Sequence, residues 1–97
     1  MYARTLSVLV RAGRIDELAT IYRDSIAPAA KQQQGCKGVF LLVDRSTGKF
    51  VSLALWDTEA DMLAGEASGY LREQVAKGAP TFAGPPTTER FEVAVQA

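Results

Sequence analysis

Cys36-Lys37-Gly38-Val39-Phe40-Leu41-Leu42-Val43-Asp44, then Arg45-Ser46-Thr47-Gly48, then Lys49-Phe50-Val51-Ser52-Leu53-Ala54-Leu55-Trp56: this run reads as two long strands around a tight turn. Val, Phe and Leu fill both arms, and Ser46-Thr47-Gly48 is turn chemistry. With Asp44 opposite Lys49, Phe40 and Leu42 share a face with Val51, Leu53 and Leu55. The other face carries Val39, Leu41 and Val43 with Phe50, Ser52, Ala54 and Trp56. Antiparallel hairpins usually leave one face to water and alternate cleanly. This hairpin is apolar on both faces, so each needs a cover. A one-residue bulge would swap the faces of one arm.

Upstream, residues 2–11 alternate in part, with Arg4, Leu6, Val8 and Val10 against Thr5, Ser7 and Leu9. This is a first strand, ended by Gly13. From Arg14 the period lengthens, and Ile15, Leu18, Ala19, Tyr22 and Ile26 form one helical apolar stripe. Asp16 and Glu17 sit in the first turn, where the helix dipole favours negative charge. Pro28 lacks the amide that would bond to the carbonyl of Asp24, so a kink or an end is expected there, with the helix finishing before Gly35.

Downstream, Thr58 with Asp61 three residues on has the form of a capping box. Ala60, Leu63, Ala64, Ala67, Leu71 and Val75 are the expected inner stripe of the second helix. Gly65 and Gly69 fall on one face of it, marking either a close backbone approach or a frayed helix. Residues 78–87 hold Gly78, Pro80, Gly84, Pro85 and Pro86 and read as a loop anchored by Phe82. Residues 88–96 alternate again, Phe91, Val93 and Val95 against Arg90, Glu92 and Ala94, as a last strand.

The order strand, helix, strand, strand, helix, strand is the ferredoxin-like βαββαβ arrangement of an α+β domain with a four-stranded antiparallel sheet. Right-handed crossovers place both helices on one face. The other face is expected to carry Trp56, Phe50 and hairpin aliphatics, an apolar patch larger than monomers usually tolerate. A second copy packed sheet to sheet would cover it, giving a homodimer with a barrel-like interior.

The chain has 97 residues, expected to form one domain spanning 1–97. Charge is balanced at 11 basic against 11 acidic residues, which argues against a nucleic-acid or membrane-surface partner. No apolar run reaches the length of a membrane span, and a single cysteine, Cys36, forms no internal disulfide, so a reducing, cytoplasmic setting is expected. With no His and no Asn, Ser-His-Asp and Cys-His sites and histidine-held haem or zinc are excluded. No glycine-rich phosphate loop occurs. No cofactor and no metal are expected.

The series Gly13-Arg14-Ile15-Asp16-Glu17-Leu18, the segment from Pro28 to Gly35, Asp44 through Gly48, Leu55-Trp56-Asp57 and Gly84-Pro85-Pro86 before Glu92-Val93 resembles the antibiotic biosynthesis monooxygenase (ABM) proteins of the dimeric α+β barrel superfamily. The resemblance implies a homodimer and, in its oxygenase members, cofactor-independent oxidation of electron-rich phenols and quinols. In those members an Asn lies four residues before the strand-end Trp, both facing the cavity. Here Trp56 is present and Ser52 stands at the Asn position. The haem-degrading members place a histidine on the iron, and this chain has none.

Trp56 and Ser52 are therefore the candidate catalytic pair, with Ser7, Phe50 and Arg90 as candidate substrate-binding residues. For each a plainer role stands beside it. Trp56 is equally a core or interface aromatic, Ser52 a small filler in a sheet, and Arg90 with Glu92 a solvated or interface pair. Tyr22 and Tyr70 read as core, Cys36 as an inert small hydrophobe. Arg11 and Arg14 read as a solvated turn rather than an anion clamp. The expected function is a small monooxygenase acting on a quinol- or phenol-type substrate in a cavity between the sheet and helices of a homodimer. The alternative is a non-catalytic ligand-binding or stress-associated structural dimer of the same fold.

Overall fold

A computed structural model describes every residue from Met1 to Ala97. Strand β1 (Tyr2–Leu9) leads to α1 (Ile15–Ile21), a π-helical turn (Tyr22–Ile26) and α2 (Ala27–Lys31). Strands β2 (Cys36–Asp44) and β3 (Lys49–Trp56) form the hairpin. Helices α3 (Glu59–Ala67) and α4 (Tyr70–Gly78), a 3-10 turn (Ala79–Thr81) and β4 (Thr87–Glu92) complete the chain. The four strands lie antiparallel in the order β2-β3-β1-β4. This is the expected ferredoxin-like fold. No helix is long and apolar enough to cross a membrane.

Asp44 pairs with Lys49, as the hairpin's residues predict, and the turn is sealed by a bond from the Gly48 amide to the Asp44 carbonyl. A bulge between Cys36 and Gly38 falls before the apolar run and leaves its faces in phase. Val8 then lies opposite Phe50, Leu6 opposite Ser52, Arg4 opposite Ala54 and Tyr2 opposite Trp56. Period two puts all of these on one face with Val39 and Leu41.

That face, not its opposite, is the one the helices cover, which corrects the expectation that Trp56 and Phe50 lie on the uncovered side. Phe50 and Trp56 are buried, and Phe50 packs with Val8, Val10 and Leu18 in the core, joined by Ile15, Leu41 and Phe82. The apolar run Leu6 and Val8 on β1, continued by Val10 just past its end, fixes the choice. Its register drags the Phe50–Trp56 row of β3 to the helix side. The open face instead carries Phe40 (52% exposed) and Leu42 (51%), with Leu9, Phe91, Val51, Leu53 and Leu55.

Of the kink or end expected at Pro28, the first helix shows no end, while the second helix and the last strand differ from expectation. The first runs through Pro28 without ending. The Ala27 amide bonds to the Tyr22 carbonyl, five residues back, so the chain absorbs the missing proline donor by widening into a π turn. The second breaks at Gly69, whose φ of 86° is left-handed. The break resets the helical phase. In α3 the inward residues are Met62 and Gly65, whereas Ala60, Leu63, Ala64 and Ala67 face out. A Cβ at Gly65 would lie 3.4 Å from Tyr70 and 3.8 Å from Trp56, so this glycine marks the close approach. Thr58 does cap α3, its Oγ1 accepting from the Asp61 amide at 3.1 Å. Finally, β4 stops at Glu92 because its partner β1 begins at Tyr2; Val95 is exposed. Phe82 anchors the preceding loop by bridging to Val10.

Candidate functional site

Between the sheet and the helices lies a cavity of about 80 Å³. A water needs roughly 10–15 Å³ by the same kind of measure, so there is room for several waters or a small ligand. The floor is the helix-side row of β3 and β1. Ser52 and Ala54 sit at its centre, where small side chains leave space that a leucine would fill. Tyr22, Ile26 and Ala30 form one wall and Tyr70, Leu71 and Gln74 another.

The lining is mainly apolar, and its few polar groups are specific. Tyr22 Oη and Ser52 Oγ are hydrogen-bonded at 2.9 Å, and Tyr22 also donates to the Phe40 carbonyl at 3.3 Å. The π turn starts at Tyr22, so the widened backbone helps set where this phenol enters the cavity. Burial raises the Tyr22 pKa against the opposing effect of the Ser52 bond. Burial likewise pushes Tyr70 up to about 12. Both phenols are neutral at physiological pH. Gln74 is 7% exposed, and its Oε1 has no hydrogen-bond partner. No protein group donates to this oxygen, so it is free to accept from a molecule in the cavity.

Arg4 is the charged member of the lining, 4% exposed on the central strand. Its Nη1 donates to the Met62 carbonyl at 2.9 Å and to Glu66 Oε2 at 3.3 Å. The guanidinium carbon stands 5.1 Å from the centroid of the Trp56 ring, a cation–π arrangement. Glu66 in turn pairs with Arg90, whose Nε donates to both carboxylate oxygens at 3.1 and 2.9 Å. The Arg90 bonds are the main cause holding the Glu66 carboxyl below its usual pKa, with Arg4 adding to them.

The sequence candidates distribute unevenly over this geometry. Ser52 and Phe50 line the cavity. Trp56 is adjacent but does not line it: it is 1% exposed beneath Arg4, with its indole N–H unpartnered. Ser7 lies across the sheet on the open face, opposite Val51 and Thr87, because its strand position is odd where the cavity floor of β1 is even. Arg90 stands outside, in a surface groove of about 420 Å³ between β4 and α3. Arg4 and Gln74 were not singled out. For Arg4 the signal existed, as a charged residue on the otherwise apolar row Leu6, Val8, Val10. Gln74 carried none beyond its place beside Leu71 and Val75. No three His, Cys, Asp or Glu side chains come together as metal ligands.

Fold and site together define a class: a ferredoxin-like α+β domain that keeps a mainly apolar cavity between one sheet face and its helices. Residues 1–77 match the model of the antibiotic biosynthesis monooxygenase family, and the chain belongs to that family. It is similar to Rv2557, an uncharacterised protein of Mycobacterium tuberculosis, with 35% identity over 97% of this chain and 41% of that protein. A second uncharacterised M. tuberculosis protein, Rv2558, is 31% identical over 98% of this chain and 39% of its own length. The chain thus spans about two-fifths of the curated relatives it matches. Among solved structures, a candidate antibiotic biosynthesis monooxygenase from Bordetella bronchiseptica superposes with a TM-score of 0.82 at 21% identity, covering 97% of both chains. One from Nitrosomonas europaea gives 0.79 at 14% identity, covering 98% of this chain and 100% of that one. At such identities the likeness is one of fold.

Proposed function

We propose that this domain is a monooxygenase that oxidises a hydroxylated, electron-rich aromatic in the cavity between its sheet and helices, without a resident cofactor. The observation that carries the reading is the unpartnered Gln74 Oε1 in the wall of a mainly apolar cavity. A flat ring suits the apolar walls, and a ring hydroxyl supplies the donor that Gln74 lacks. The Tyr22–Ser52 hydroxyl pair offers a second polar contact, in the position where the oxygenase members carry Asn. An electron-rich phenol can reduce oxygen itself. In the balanced reaction, a ring-adjacent CH2 exchanges its two hydrogens for one oxygen atom of O2, and the other leaves as water with those hydrogens. The protein then has to bind, orient and partly desolvate the substrate.

The domain works, in this proposal, as a homodimer within a reducing cytoplasm. Half-exposed Phe40 and Leu42, with Leu9 and Phe91 nearby, make the open sheet face the surface for a second copy.

The test is oxygen uptake with anthrone and a series of hydroquinones, run beside calorimetric binding. Saturable uptake that vanishes in Ala54→Leu, a variant that fills the cavity floor, supports the enzyme. Saturable binding with no uptake selects the ligand-binding alternative, which the lack of any carboxylate in the lining favours. Absence of binding by every compound sinks both and leaves a structural dimer.

A further inference from the structure

Nothing lining the cavity can take a proton at neutral pH. The lining has no carboxylate, the chain has no histidine, and burial keeps both phenols protonated. What the lining does have is a cation. The Nη1 atom of Arg4 makes both of its hydrogen bonds, while Nε and Nη2 make none within the chain. Glu66, its ion-pair partner, is shared with Arg90. The carboxylate gives Arg4 one bond at 3.3 Å and gives Arg90 several, including one at 2.9 Å. Two guanidinium groups thus share the one carboxylate that bonds either of them, and Arg4 is the buried member. A buried guanidinium that shares its counter-ion, and whose remaining N–H groups bond nothing within the chain, gains from a further anionic acceptor.

We propose that the ligand completes it: the cavity selects an apolar aromatic that carries one negative charge on oxygen, with Arg4 as its counter-ion. Arg90 is a positioning residue that shares Glu66 with Arg4 from outside the cavity, so that the carboxylate does not pair with Arg4 alone. This rests on the cavity being a ligand site. A ligand acidic enough to be ionised at neutral pH enters as the anion, and the guanidinium favours that form. The neutral hydroxyl contact remains with Gln74.

The experiment compares 2-naphthoate with 2-naphthol, rings of one size that are respectively anionic and neutral at pH 7, by titration calorimetry. Naphthoate should bind at least about tenfold more tightly, the scale of a charge-assisted hydrogen bond. Arg4→Gln should abolish the preference. Arg90→Gln, at an exposed residue whose loss leaves the core intact, should free Glu66 to pair with Arg4 and weaken naphthoate binding while sparing naphthol. Circular dichroism checks that each variant is folded. Equal affinities, or a preference that survives Arg90→Gln, overturn the proposal and leave the cavity reading standing. Failure of both compounds to bind overturns the two together.

Discussion

At the scale of single residues, the two phenols in the cavity wall are the most legible through titration. Tyr70 is held to about 12, against an ordinary value of 10.0. Its folded pKa is raised, so the stability it brings is complete below pH 10 and is lost as pH rises towards 12. Ultraviolet difference titration should show a tyrosinate absorbance arriving well after that of a free phenol, and the urea midpoint should fall over the same interval. Tyr22→Phe tests the other phenol. It strips Ser52 of its partner at 2.9 Å and the Phe40 carbonyl of its donor, and should cost about 1–2 kcal/mol in urea denaturation. Glu66 behaves in the opposite sense. Its carboxyl is depressed from 4.5, so the stability from its two arginines is present above that pH and fades as pH falls below it.

At the scale of elements, Gly65 and Gly69 look alike in the sequence and do different work. Gly65→Ala adds a Cβ in ordinary contact with Tyr70 and Trp56 and removes a helix-interior glycine, so it should be neutral or stabilise by up to about 1 kcal/mol. Gly69→Ala has open space but forces an L residue to a φ of 86°, and should destabilise by about 1–2 kcal/mol. Thermal melts of the pair separate the two roles. The same comparison shows how far the elements could be read in advance. The hairpin register was legible because turn chemistry and alternation agree. The side on which the helices lie was not read correctly, because both hairpin faces are apolar and only the Leu6–Val8–Val10 row of β1 breaks the tie. The phase of α3 was missed because a periodic stripe drawn through Gly69 assumes an unbroken helix. The π turn was half visible: Pro28 announced a missing bond, but whether the chain ends or widens depends on the packing of Tyr22 beneath it. Of the cavity, the central Ser52 was legible only through the family resemblance, which implies a polar residue four positions before the strand-end Trp56. The Arg4–Glu66–Arg90 chain was not, since it joins β1, α3 and β4 across more than sixty residues of sequence, as the Arg4–Glu66 separation of 62 shows.

At the scale of the whole molecule, one sheet separates two surfaces of different character. If two copies meet through the open face, Leu42→Glu should convert a dimer to a monomer in sedimentation at micromolar concentration and leave cavity binding within about twofold, since Leu42 points away from the cavity. A wild-type monomer under the same conditions would sink the dimer. The even positions of β3 from Phe50 to Trp56 look inward to the cavity and Trp56's arginine, and the odd positions Val51, Leu53 and Leu55 look out. One strand therefore writes two messages in alternate letters, one about what is bound and one about what is touched. A substitution edits one message and leaves the other unread. If the proposed dimer and ligand site hold, the inward row can be altered without touching the outward one, and the outward row without touching the cavity.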